Sequence, residues 1–164
     1  MLSAAVLALG VLAAPAAADD AIAVFGDACL AATPATREGL EAQAIQRGWR
    51  SLSVQSEARL EWRVVYQTQA ARVRLDQHRG SDDNPGERIC VVLVGQAPTG
   101  WRDKVSALIA NGAPVGAPGA PDERYQLPPG LELTVWDLPD GSRIHALRQS
   151  DNLLELSVNY PTGQ

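Results

Sequence analysis

The sequence predicts a single α+β domain in two layers, a mainly antiparallel sheet covered by helices and closed by one disulfide. Three observations predict it. Apolar residues recur at helical spacing in some segments and at two-residue spacing in others, in separate blocks rather than in strict alternation. Helices come before three strands, and then a further helix comes before three more, which suggests two topologically similar halves. Finally, the chain has two cysteines, Cys29 and Cys90, placed in the first half.

Residues 1–18 read as a signal peptide. An apolar run ends in Pro15 and Ala16-Ala17-Ala18, just before Asp19-Asp20, as an h-region followed by an A-x-A cleavage site does. The n-region carries no Lys or Arg, which departs from the usual pattern. Cleavage would start the mature chain at Asp19 and place it in an oxidising compartment, periplasmic or secreted. An uncleaved tether is the competing reading, but the run falls short of the about 20 apolar residues a spanning helix needs. No membrane span is expected after cleavage. The remainder, 19–164, has the length of one domain.

In an exported chain, two cysteines are most economically one disulfide. Their separation of 61 residues excludes a CxxC redox motif and a compact zinc pattern. Closing a loop of that size stabilises a fold by roughly 4 kcal/mol on chain-entropy grounds.

The elements follow in order. Ile22, Phe25, Cys29 and Ala32 share one face of a helix over Ala21 to Ala32. Thr33-Pro34 reads as an N-cap with Pro at the first helical position, opening a second helix that runs to about Arg47. Gly48 ends it, and Trp49 is placed to fold back on Ala44 as in a Schellman cap. The period then changes to two. Leu60, Trp62, Val64 and Tyr66 alternate with polar residues, as do Val73 and Leu75. The stretch Arg79 to Gly86 is a loop by composition. Ile89 to Val94 is apolar on both faces and reads as a central, doubly covered strand. If Cys90 pairs with Cys29, the first helix packs on the face carrying Cys90, Val92 and Val94. Pro98-Thr99 opens a third helix, whose Trp101, Val105, Leu108 and Ile109 form a stripe ending at Asn111-Gly112. The tail is a meander of Leu131 to Leu138, Ser142 to Gln149 and Leu153 to Tyr160, with Asp140-Gly141 as a hairpin turn.

Phe25-x-x-x-Cys29-Leu30 soon after a signal peptide, a helix closed by Gly48-Trp49 and a later strand carrying Cys90 resemble small exported bacterial proteins of unknown function. The likeness covers about the first 90 residues. It implies export and no particular activity, so no catalytic residue is carried over from it.

Composition narrows the function. Fourteen basic against nineteen acidic residues give a net charge of −5, without a basic field for phosphate, so nucleic acid is not an expected partner. The chain contains no nucleophile elbow, zinc-protease helix, dinucleotide fingerprint, P-loop or EF-hand pattern. No catalytic residue, metal ligand or cofactor is therefore assigned. Asp82-Asp83 with Glu87 is a solvated turn rather than a cation site, since hard cations take six or more oxygens.

Two features remain as binding candidates. Arg63, Arg72 and Arg74 would share a wet sheet face if their strands pair across the turn near Gln67 to Ala71. Such a stripe would hold an anionic ligand or an acidic partner by bidentate contacts. The plainer reading is a solvated face balanced by Glu61 and Asp76. The second feature is the loop over 112–130, with five prolines and four glycines. It reads as a flap over a pocket, with Tyr125 and Leu127 as its apolar contacts, or as a linker. The expected function is a non-enzymatic binding or interaction module in the periplasm, engaging a protein or small ligand. The alternative is a small hydrolase or redox enzyme with a site gathered from His78, Asp76, His145 and Asp137. Oligomeric state is not written in the sequence.

Overall fold

Ala21, Ile22, Phe25 and Cys29 do form one buried stripe. A computed structural model describes residues 17–31, 35–55, 57–81, 86–112, 118–119, 127, 129–138 and 140–161. In it, the stripe belongs to a helix, α1 (Ala17–Phe25), that runs on into a π-helical turn at Gly26–Leu30. The Ala31 N–H reaches back to the Gly26 carbonyl at 2.9 Å, five residues earlier, which widens the turn. That turn seats Cys29 against the sheet. Cys29 and Cys90 form the expected disulfide, with their Cα atoms 5.6 Å apart. Both are fully buried. The Tyr160 hydroxyl donates to the Cys29 carbonyl, and burial pushes its pKa above the ordinary phenol value, so it remains a donor.

The second helix, α2 (Arg37–Arg47), begins later than the Thr33-Pro34 signal suggests. Thr36 is its cap, accepting the Gly39 N–H at 3.1 Å. A hydroxyl there satisfies a first-turn donor, and Glu38 adds a negative charge at the positive end of the helix. Thr33 and Pro34 lie outside the described residues. The end matches the sequence reading. Gly48 takes φ 65°, the Trp49 N–H bonds the Ala44 carbonyl at 2.9 Å and the Gly48 N–H bonds Ile45 at 3.2 Å, a Schellman arrangement. The third helix, α3 (Trp101–Gly112), also starts late. Gly100 at φ 67° breaks any helix running through it, so Pro98 serves only a turn, its carbonyl accepting the Trp101 N–H at 3.2 Å. At Gly26 an added Cβ would lie 2.8 Å from Leu108 Cδ1, so the missing side chain lets this segment approach α3 closely.

The strands are β1 (Arg50–Leu52), β2 (Leu60–Gln67), β3 (Arg72–His78), β4 (Glu87–Val94), β5 (Pro118–Gly119), β6 (Glu132–Asp137), β7 (Arg143–Arg148) and β8 (Leu154–Pro161). They form one antiparallel sheet in the order β1-β2-β3-β4-β8-β7-β6-β5. The order is symmetric about the β4–β8 seam. Each half places a helix before a short edge strand and a three-stranded meander, so the two halves seen in the sequence share a topology. The edge strands β1 and β5 are too short to show a period, and β5 falls inside the segment read as loop.

Helices cover one face. Cys90, Val92 and Val94 on β4 meet α1, and Leu75, Leu156, Val158 and Ile144 continue the same core under α2 and α3. Arg88, on that face, donates to Gln77 and to the Ala35 carbonyl at the mouth of α2. No described helix packs on the opposite face, where Val91 is 1% exposed but Ile89 and Leu93 are only half-buried. Val91 has Arg74 and Ser157 as its cross-strand neighbours.

Candidate functional site

The alternation of each strand fixes which residues the uncovered face displays, and the register aligns them into rows. One row runs Leu52, Val65, Arg74, Val91, Ser157, His145, Val135 across seven strands. A second runs Arg50, Gln67, Arg72, Leu93, Glu155, Leu147, Leu133, and a third runs Arg63, Asp76, Ile89, Asn159, Arg143, Asp137. Leu60, Val65, Val91 and Val135 are buried yet stand outside the core beneath the helices. The face therefore has an apolar centre of its own, framed by charge.

Arg63, Arg72 and Arg74 do share this face, but they do not stand alike. Arg63 makes a two-pronged contact with Asp76, Nε to Oδ1 at 2.6 Å and Nη2 to Oδ2 at 2.9 Å, and also donates to Glu57. The hydrogen bonds Arg63 donates to Asp76, with help from Glu57, raise its pKa and fix its charge. Arg74 lies with Nε 3.1 Å from Asp76 Oδ2, but that N–H is buried and makes no hydrogen bond. Asp76 itself is 1% exposed, so two guanidiniums converge on one carboxylate. Arg72 is exposed and has no ion-pair partner among the described residues. It is the cation of the three that is available to a ligand. Tyr125 lies outside the described residues, as do Asp82 and Asp83.

The two histidines are on the same face but apart. His78 is on β3 and His145 on β7, three strand spacings or about 14 Å away across the sheet and further along it. His78 neighbours Glu87 in register. His145 lies opposite Ser157, with Asp137 diagonal to it on β6. Desolvation lowers the His145 pKa from 6.5, Arg143 lowers it further, and Asp137 opposes both. Sequence reasoning passed over the Ser157–His145 pair, although two-residue alternation along Arg143 to Leu147 and Glu155 to Asn159 would have placed them on one face. Among the described residues no hydrogen bond joins the pair, and Asp137 is held by Arg143 at 2.6 Å. Mid-strand N–H groups here are spent in the ladder, so none is free to stabilise an oxyanion. The set His78, Asp76, His145 and Asp137 is divided between the two halves of the sheet. Among the described residues no group of three or more His, Cys, Asp or Glu is placed to hold a metal ion.

No family model, no curated protein and no solved structure matches the chain. The functional argument therefore rests on the chemistry of the face. Its reachable elements are a guanidinium at Arg72, the adjoining Leu93 and Leu147, and Glu155 between those leucines. That combination suits a ligand with a carboxylate beside an apolar group.

Proposed function

We propose that the chain is an exported, non-enzymatic binding module that engages an anionic ligand or an acidic partner through the uncovered sheet face, in the periplasm or outside the cell. The observation that carries this reading is exposed Arg72, without an ion-pair partner among the described residues, beside the half-buried Leu93 and in one row with Leu147. The export signal in the sequence and the buried disulfide are consistent with an oxidising compartment. The enzyme alternative draws on the Ser157–His145 pair, and the lack of free donors around it weighs against acyl transfer.

The test is an NMR titration of the ¹⁵N-labelled protein with an acidic peptide of alternating Glu and Leu. Saturable shifts confined to β3, β4, β8 and β7, lost in Arg72→Glu, are expected. Shifts that persist unchanged in Arg72→Glu, or that map to the helices, would overturn the reading. Arg72 is exposed and unpaired, so the variant leaves the fold intact.

A further inference from the structure

Where α2 gives way to β1, the left-handed turn at Gly48 leaves a cavity of about 450 Å³ against the β2–β3 turn. Ordinary small-molecule sites span roughly 300–1,000 Å³. Its walls are chemically divided. Val24, on α1 and 8% exposed, and Ala70 give it an apolar floor, and the half-buried Trp49 adds a flat wall. Arg47 braces that wall, its guanidinium 5.9 Å from the indole centroid, while its charge is met by Asp27 at 2.8 Å. The rim is set by Gln67, whose amide donates to the Thr68 and Ala71 carbonyls at 2.9 and 3.1 Å. Arg50 also lines the cavity. It is exposed and has no hydrogen bond or ion pair among the described residues, so one guanidinium fork is left over beside an apolar recess.

We propose that this cavity binds a small organic monocarboxylate with a flat apolar body. The body lies among Val24, Ala70 and Trp49, and the carboxylate takes the two-pronged contact Arg50 offers. One unneutralised cation in the cavity wall, on a chain of net charge −5, selects one negative charge over a polyanion. Arg50 and Gln67 also stand in the second row of the sheet face, but Arg72 does not line the cavity, so the Arg50→Gln and Arg72→Glu variants separate the two readings.

The experiment follows the Trp49 indole N–H and the backbone signals of Gln69 and Ala70 in the ¹⁵N-labelled protein, titrated with phenylacetate and, separately, with its neutral isostere phenylacetamide. The expected result is saturable shifting of those signals by phenylacetate. Binding should be at least about tenfold weaker for the amide and for Arg50→Gln, as the loss of a charge-assisted contact requires. An unchanged thermal melt of Arg50→Gln establishes that its fold is kept. The proposal is overturned by no saturable shift at millimolar phenylacetate, by shifts elsewhere only, by equal binding of the amide, or by unweakened binding to folded Arg50→Gln.

Discussion

Asp76 shows how a single residue organises the uncovered face. It is almost fully buried, and both Arg63 and Arg74 lean on it. Replacing it with Asn leaves Arg74 without its counter-charge and Arg63 with exposed Glu57 alone. Removing one partner of a buried pair is costly, and Asp76→Asn should destabilise the protein by about 3 kcal/mol in urea unfolding. A loss near zero would mean that solvent already carries those charges. His145 gives the same face a pH dependence. The unfolded histidine protonates near 6.5 and the folded one lower. Between those values the unfolded chain binds more protons, so stability rises with pH. The contribution is complete above about pH 6.5, falls away as pH drops through that value, and levels off below the folded pKa. His145→Asn should flatten this limb. An imidazole titration placing His145 above 6.5 would contradict the argument. Residue identities alone showed that Arg63, Arg72 and Arg74 would share a face, because a period of two is geometric. They did not show that Asp76 takes two of the three, because that depends on burial of a residue the sequence presents as ordinary.

The Cys29–Cys90 staple links two elements that the chain builds far apart, the π-helical turn and the central strand β4. Their pairing was legible from cysteine count and export signal, and so was the face of β4 that receives α1, since Cys90, Val92 and Val94 alternate together. The π-helical turn was not legible, because its spacing differs from an α-helix by one residue within a segment that is apolar almost throughout. The starts of α2 and α3 were misplaced for a related reason. Pro34 and Pro98 are compatible with a first helical turn, but Thr36 makes the real cap of α2 and the left-handed Gly100 delays α3. Removing the staple in Cys29→Ala/Cys90→Ala should cost about 4 kcal/mol if its effect is loop closure in the unfolded chain. Equilibrium unfolding measures this directly. A loss below about 1 kcal/mol would place the stability in the packing of α1 on β4 instead.

At the scale of the whole molecule, two halves of like topology meet at the β4–β8 seam, and the described helices cover one of the two faces they create. The order of helices and strands in the sequence was enough to recover those halves. Which elements lie over the second side of β4 was not recoverable, because the apolar run Ile89 to Val94 reads the same whatever buries Val91. We propose an exported, disulfide-closed molecule, and the intact mass of the expressed protein, non-reduced and after thiol alkylation, reads both features at once. The expected species begins at Asp19, is about 2 Da lighter than the dithiol and is inert to the alkylating agent. A full-length species with two alkylated thiols would contradict both the export and the staple.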